Sequence, residues 1–343
     1  MILEYKFARC YLCSDRKESM LDGLEYTSKM IENGLVDKCV YDCKAALIVE
    51  KENVDYVIME GKACWLSNCF DEVISREKIA LHLHNEILLT KIYHEAFDRI
   101  IVPSQYIANW WNEEITDKVV KKYILSNCIR TEKFEKSVSN DKKIKKRIEL
   151  GFNPEDKVIL FCGRIIKEKG VRELIDAVLS IRDSSVKLLI IGSDSFAYGN
   201  RKEYAANIMQ VIQENNERIV YLGYIDNDEL PYYYQCADIQ AVPSVWEEPF
   251  GLVALEGMMS GIPLVITNSG GMIEFVPENA GIIVKKEENL VEQLKEAFLW
   301  IFSHRAESIE MARIAKKSAK KYSAENYYVN FCKMIEWWEE DEK

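Results

Sequence analysis

The chain has 343 residues, of which 48% are hydrophobic and 29% charged, as is typical of a globular protein. This length predicts two domains, and the formal net charge of −11 argues against a nucleic-acid polymer as partner. The start, MILEYKFARC, lacks the basic-then-apolar order of a signal peptide, and no apolar run reaches the roughly 18 residues of a spanning helix. We therefore expect a cytoplasmic protein, with peripheral contact at the inner face of the membrane left open.

Six of the ten cysteines lie near the start of the chain. They are Cys10, Cys13, Cys39, Cys43, Cys64 and Cys69. A zinc site, a disulfide framework and reduced thiols are the alternatives. Because the intervals are irregular and a second C-x-x-C is lacking, we favour reduced thiols.

Four short apolar runs predict strands in the first half of the chain. The runs are VDYVIM (54–59), KIALHLH (78–84), RIIVPS (99–104) and KYILSN (122–127). The segment YIANWWNEEI (106–115) predicts a helix. The polar and densely charged segment 131–157 predicts a linker with a short helix.

The second half alternates strands and helices more regularly. Strands are predicted at 157–163, 186–193, 218–224, 238–244, 263–269 and 281–284, with helices at 171–181 and 203–215. Such alternation implies parallel sheets wound in βαβ units, so the fold class is α/β with two doubly wound, Rossmann-like domains. Ligands of such sheets bind beyond the carboxyl ends of the strands.

One carboxylate, Glu256, lies inside an otherwise apolar segment, 252–260, which predicts a buried helix. An ionised carboxylate there is costly without strong partners. One explanation is structural: Glu256 caps a backbone group or pairs with an arginine. The other explanation follows from its distance to Glu248, eight positions earlier.

The stretch EPFGLVALE, from Glu248 to Glu256, resembles the E-x7-E motif of retaining family 4 glycosyltransferases (glycosyl transferases group 1), which have the GT-B fold. The following GIPLVITNSGG is also similar to that family. The resemblance implies that Glu248 accepts hydrogen bonds from the sugar of a nucleotide-sugar donor and that Glu256 binds the ribose. Backbone amides of Phe250, Gly251 and Leu252, at a helix N-terminus, suit the anionic donor.

The segment FCGRIIKEKG (161–170) follows a predicted strand and is either a solvated basic turn or a diphosphate site. It matches the family pattern G-R-x4-K-G, which implies that Gly163, Arg164 and Lys169 bind the diphosphate. Such a site needs neither metal nor cofactor. DND (226–228) has the form of a metal motif of another glycosyltransferase fold, but we interpret it as the N-cap region of a helix.

The acceptor side is predicted in the first half. Alternation in KIALHLH directs His82 and His84 to one face of a strand. The family places a histidine near the reacting sugar on the equivalent strand, and His84 is nearer the strand end. The alternative is a hydrogen-bonded structural histidine.

The resemblance implies an acceptor-side domain at 1–150, a donor-binding domain at 151–322 and a terminal helix at 323–343. It also implies that the two domains face a cleft and that the terminal helix crosses back to the first. The resemblance is poor before residue 50, where the family's first strand and glycine-rich loop are not recognisable.

The expected function is transfer of a hexose, with retention, from a uridine-linked donor to a hydroxyl of a glycan or lipid-linked acceptor. Lipopolysaccharide or capsule synthesis is the expected setting. The alternative is a non-catalytic GT-B protein that binds glycan or supports another transferase. The sugar, the acceptor and the oligomeric state are not predicted.

Overall fold

The computed structural model describes residues 55–60, 74–85, 97–114, 120–136, 138–193 and 200–341. The chain forms two compact units, Met1–Leu125 and Ser126–Lys343. Within the described ranges, no helix is both long and apolar enough to cross a membrane. The division falls before the polar segment 131–157, whereas the sequence predicted a domain boundary near residue 150.

The first unit contains a four-stranded parallel sheet in the order β1-β2-β3-β4. Its described elements are β1 (Val57–Glu60), β2 (Ile79–His82), β3 (Arg99–Val102), α1 (Gln105–Glu114) and β4 (Lys121–Ile124). All residues of β2 and β3 are buried. This two-sided burial explains why both strands are continuous apolar runs in the sequence.

The predicted linker is wrong in part, because two helices, α2 (Thr131–Glu135) and α3 (Asn140–Glu149), occupy most of it. Arg147 of α3 donates from Nε to the Cys236 carbonyl (2.8 Å) and pairs through Nη2 with Asp238 (2.9 Å). Tyr232 donates its hydroxyl proton to the Lys142 carbonyl at 2.8 Å. The charged and polar side chains of this segment thus make tertiary contacts within the second unit.

The second unit contains a six-stranded, all-parallel sheet in the order β10-β9-β8-β5-β6-β7. Its strands are β5 (Lys157–Cys162), β6 (Val186–Ile191), β7 (Ile219–Tyr221), β8 (Ile239–Val242), β9 (Leu264–Thr267) and β10 (Ile282–Val284). Its later helices are α4 (Val171–Ser180), α5 (Asn200–Glu214), α6 (Leu230–Cys236), α7 (Leu252–Ser260), α8 (Leu290–Ser303), α9 (Arg305–Ala319) and α10 (Ala324–Asp341). Alternate residues of β5 enter different cores, Val158 and Leu160 one and Ile159 and Phe161 the other.

Helix α10 begins where the sequence predicted. The Ser323 hydroxyl accepts the Asn326 amide at 3.2 Å, which confirms Ser323 as the N-cap. Four apolar side chains of α10 are buried: Phe331, Met334, Ile335 and Trp338. The predicted crossing of this helix to the first domain stays a prediction, as does the cleft between the domains.

Strand β5 lies between β8 and β6, so the strand order reverses there: β6 and β7 extend to one side, β8 to β10 to the other. Loops leaving β5 and β8 diverge at such a switch point and create a crevice at the carboxyl ends of the strands. The predicted basic segment follows β5 and the predicted E-x7-E segment follows β8. The sheet topology therefore brings these two segments together.

Candidate active site at the sheet switch point

The loop after β5 is fixed against the loop after β8. Gly170 has φ 66°, and a Cβ there would lie 1.9 Å from the Pro243 carbonyl oxygen. Only glycine fits so close a backbone approach in this left-handed conformation. The Val245 amide also donates to the Glu168 carbonyl at 3.0 Å. These contacts place Lys169, at the end of the 3-10 turn Lys167–Lys169, beside the second loop.

Lys169 and Glu248 form the central ion pair of this site. Lys169 Nζ lies 2.6 Å from Glu248 Oε1, and only 4% of Glu248 is exposed. The Ser244 hydroxyl donates to the same carboxylate oxygen. The Trp246 ring lies 5.2 Å from Lys169 Nζ, within the range of a cation–π contact. A buried carboxylate requires such compensation, and the sequence patterns did not predict this pairing.

The backbone around Glu248 is held by the segment after β9. Ser269 Oγ accepts the Glu248 amide (2.9 Å) and donates to the Trp246 carbonyl (2.6 Å), while the Gly271 amide donates to the Glu248 carbonyl (2.7 Å). Gly270 has φ 43°, and a Cβ there would lie 2.3 Å from the Glu248 carbonyl oxygen. Gly270, in the segment GIPLVITNSGG, thus permits close contact between the two loops.

Helix α7 begins directly after this loop. Gly251 has φ 99°, and Phe250 is buried with its ring centroid 4.8 Å from that of Phe275. Leu252, the first helical residue, is 41% exposed. The first N–H groups of a helix lack intrahelical acceptors, so this end of α7 can receive an anion.

Gly163 and Arg164 follow β5 directly. The Gly163 amide donates to the Ile191 carbonyl (2.9 Å), and a Cβ on Gly192 would lie 1.7 Å from the Gly163 carbonyl oxygen. This close approach joins the ends of β5 and β6. Arg164 is exposed, and its guanidinium has no hydrogen bond or ion pair among the residues that the structure describes. A guanidinium in this state can bind an anionic ligand without first losing a protein partner.

Glu256 is partly buried in α7. It accepts a hydrogen bond from the Tyr234 hydroxyl at Oε2 (2.7 Å). Burial raises the pKa of Glu256 to about 7, although the Tyr234 hydrogen bond acts in the opposite direction. The predicted arginine partner or backbone cap is therefore replaced by a neutral tyrosine of α6.

His82 and His84 share one side of β2, as the alternation predicted. Their ring centroids lie 4.2 Å apart. His82 is 4% exposed, whereas His84, two residues further along, is exposed. His84 is thus the one open to a ligand at this strand end, and its role stays a prediction.

Asp226 and Asp228 of the DND segment lie in a turn before α6. The Asp226 carboxylate accepts the Asp228 amide at 2.9 Å, and Asp228 pairs with Lys133 of α2. The helix begins at Leu230, its N-cap residue is Glu229, and no side chain caps it. The DND segment therefore lies just before the N-cap, whereas we predicted that it would form the N-cap region. Across the described ranges, no three His, Cys, Asp or Glu side chains are grouped as a metal site would require.

The six cysteines of the zinc and disulfide alternatives lie outside the described residues. The site also contains residues that the sequence patterns did not single out: Tyr234, Gln240, Ser244, Trp246 and Ser269. Ser244 and Ser269 follow strand ends, and the rule that ligands bind there could have identified them. The hydroxyl of Tyr234 carries no comparable signal in the sequence.

A sequence model of the family described as glycosyl transferases group 1 matches residues 142–322, more than half of the chain. Two relatives are an uncharacterised glycosyltransferase of Methanocaldococcus jannaschii and the lipopolysaccharide 1,2-N-acetylglucosaminetransferase of Salmonella typhimurium. The first is 34% identical over 45% of this chain and 38% of its own length. The second is 27% identical over 79% of this chain and 66% of its own length. The chain thus spans less than two thirds of either relative.

The Anabaena HepE protein, solved in complex with UDP, superposes with a TM-score of 0.73. The identity is 18%, over 86% of this chain and 82% of HepE. The two parallel sheets and this likeness define the class as a GT-B fold, as predicted. Within that class, the chain belongs to the glycosyl transferases group 1 family.

Proposed function

We propose that the protein is a retaining glycosyltransferase that moves a hexose from a UDP-linked donor to a hydroxyl of a glycan or lipid-linked acceptor. The observation that carries this proposal is the Lys169–Glu248 pair at the switch point of the second sheet. The pair combines a cation suited to a diphosphate with a carboxylate suited to sugar hydroxyls, at the edge where such sheets bind ligands.

The relatives support the donor and the setting. The Salmonella relative is named as a lipopolysaccharide N-acetylglucosaminetransferase, and HepE was solved with UDP. We therefore propose a role in cell-surface polysaccharide synthesis at the cytoplasmic side of the membrane. Attachment to the membrane surface belongs to the same proposal, because a lipid-linked acceptor would be presented there.

The donor diphosphate is proposed to lie between Arg164 and Lys169. Arg164 is exposed and Lys169 lies at the crevice, so both can approach one ligand. These two cations, with the N-terminal amides of α7, would stabilise the charge that builds on the departing UDP. The proposed chemistry therefore uses no metal and no cofactor besides the donor itself.

Donor binding would change the Lys169–Glu248 pair. A diphosphate offers Lys169 a competing anion, and the hydroxyls of the hexose offer Glu248 replacement partners. Glu248 is then free to orient the sugar through hydrogen bonds that it makes only in the bound complex. Binding energy is used in this way to position the reacting carbon.

The reaction is proposed to take place on one face of the sugar. The acceptor hydroxyl attacks the anomeric carbon on the side from which UDP departs, and a leaving phosphate oxygen takes the acceptor proton. Retention then follows without a protein nucleophile. His84, exposed at the end of β2, is the proposed contact with the reacting sugar from the first domain.

Thermal-shift screening of nucleotide sugars, followed by turnover assays with the stabilising donor, tests this function. We expect a UDP-sugar to stabilise the protein and Arg164→Ala to weaken UDP binding with little change in stability. The matched control is Lys167→Ala, which removes an exposed cation from the adjacent turn and should leave UDP affinity unchanged. Absence of binding to UDP and to every UDP-sugar would contradict the proposal. Binding without turnover on any acceptor would favour the non-catalytic alternative.

A further inference from the structure

Tyr234 is the centre of a buried polar cluster beneath the proposed ribose site. It is fully buried on α6 and makes its shortest hydrogen bond, 2.7 Å, to Glu256 Oε2. Gln240 of β8 is also fully buried, and its Nε2 lies 3.4 Å from the Tyr234 oxygen and 2.6 Å from the Val253 carbonyl. Because a carbonyl only accepts, the Val253 contact fixes the amide nitrogen of Gln240 toward the cluster.

This arrangement determines which acceptor receives the single hydroxyl proton of Tyr234. Gln240 Nε2 approaches the Tyr234 oxygen as a donor. The Val253 carbonyl is 3.4 Å from that hydroxyl and already accepts from Gln240. Glu256 Oε2 is therefore the one strong acceptor left for the Tyr234 proton among the described residues.

Gly257 shows that the cluster constrains the sequence of α7. A Cβ at this position would lie 1.4 Å from Gln240 Oε1. Glycine inside a helix costs about 1 kcal/mol relative to alanine, so its presence calls for a reason. Space for Gln240 supplies that reason, directly beside Glu256.

We propose that Tyr234 is a positioning residue, which occupies Oε2 of Glu256 and turns the remaining oxygen, Oε1, toward the ribose hydroxyls. The inference rests on the proposed function, because it takes the ribose as the ligand of Glu256. In the described part of the chain, Oε1 accepts no hydrogen bond, and Glu256 is partly exposed. Tyr234 contacts no substrate in this scheme and acts only through Glu256.

Among the described residues, Glu256 forms no ion pair, so its protonation reports directly on its hydrogen bond with Tyr234. The titratable groups that face it are Tyr234 of α6 and Cys162 of β5, and burial raises the pKa of both. Of the lysines on neighbouring helices, Lys133 of α2 pairs with Asp228, and the Lys316 side chain of α9 lies beside Gly261, which follows the last residue of α7. Loss of the Tyr234 proton donor should therefore raise the pKa of Glu256.

The test compares Tyr234→Phe with Tyr233→Phe, a matched control on the same helix. The first measurement is a carboxyl 13C NMR titration of the unliganded protein, with the Glu256 resonance identified by its loss in Glu256→Gln. The midpoint should move to higher pH in Tyr234→Phe and stay in place in Tyr233→Phe. An unchanged midpoint in Tyr234→Phe would overturn the proposal.

The second measurement is calorimetric titration with UDP at pH 7 and pH 8.5. Tyr234→Phe should lose about tenfold in affinity at pH 7, where more of its Glu256 is protonated, and less at pH 8.5, where the carboxylate is ionised but still lacks the bond that orients it. Glu256→Gln serves as the reference at each pH, because the terminal phosphate of UDP itself titrates near pH 6. An equal loss at both pH values would indicate structural support only and would overturn the proposal.

The experiments distinguish failure of the proposed function from failure of this inference alone. If the wild-type protein does not bind UDP, the proposed function and this inference fail together; if it binds UDP and the midpoint does not move, only this inference fails. Should Tyr234→Phe not fold, Gln240→Met provides the test. It frees the Val253 carbonyl to compete for the Tyr234 proton, so the Glu256 midpoint should again rise, and an unmoved midpoint would contradict the proposal.

Discussion

The loop that carries Glu248 and the helix that carries Glu256 hold their carboxylates by opposite means. Glu248 is almost fully buried and contacts the ammonium of Lys169. Glu256 contacts a neutral hydroxyl, and burial raises its pKa to about 7. If Lys169 binds the diphosphate as proposed, its contact with Glu248 must be exchanged on binding, whereas Tyr234 can stay in place beside Glu256. The two carboxylates are thus held in ways that suit the two parts of the donor that we propose for them.

The largest expected effect comes from breaking the ion pair of the loop. Lys169→Ala leaves Glu248 buried with Ser244 as its remaining side-chain partner, which should cost about 3–5 kcal/mol of unfolding free energy. Adding Glu248→Gln should recover part of that loss, because no unpaired charge remains. Urea denaturation of both single variants and the double variant measures the coupling, with Lys167→Ala as the control. Additive losses would show that the pair does not stabilise the loop.

Glu248→Gln alone should lower the rate of the chemical step. Turnover with the intact donor should fall by about 10²–10³-fold, in the range seen when one stabilising transition-state hydrogen bond is removed. UDP affinity should not fall, since the proposed partner of Glu248 is the sugar and the substitution removes a competitor of the diphosphate for Lys169. The exposed Glu278→Gln is the control for loss of one charge. An equal fall in both variants would contradict the assignment.

The raised pKa of Glu256, on helix α7, predicts that the stability of the protein depends on pH. The folded pKa of Glu256, about 7, lies above its ordinary value of 4.5. The folded state therefore binds the proton more strongly, and this contribution to stability is full below about pH 4.5 and lost as the pH rises through 7. Relative to wild type, Glu256→Gln should gain about 2–3 kcal/mol between pH 4.5 and pH 8. Denaturant midpoints of both proteins across this range measure the difference, and a constant difference would contradict the raised pKa.

The smallest expected effect concerns metal. Turnover should survive EDTA, and Asp228→Asn should leave it unchanged, because Asp228 contacts Lys133 and lies outside the proposed donor site. Loss of turnover on chelation, restored by manganese, would show that the charges of Arg164 and Lys169 are not sufficient for the leaving group.

Most strands of the second sheet were predictable from the sequence, because a strand that is buried on both faces consists of a continuous run of apolar residues. The helix 252–260 was predicted to the residue, since Gly251 and Gly261 mark its ends in left-handed conformations. Of the two helices at 131–149, the sequence predicted only a single short one, because the charges of this segment make tertiary contacts that no local pattern reveals. The partner of Glu256 was missed for the same reason: Tyr234 lies 22 positions away and reaches it only when α6 packs beside α7.

Calorimetric titration of UDP into wild type, Glu248→Gln and Glu256→Gln decides whether the two carboxylates bind different parts of the donor. UDP retains the ribose and lacks the hexose. We expect Glu256→Gln to weaken UDP binding about tenfold or more, while Glu248→Gln keeps it at the wild-type value or strengthens it, because Lys169 is then free for the diphosphate. Equal affinities of the two variants for UDP, whether both weakened or both unchanged, would contradict this expectation.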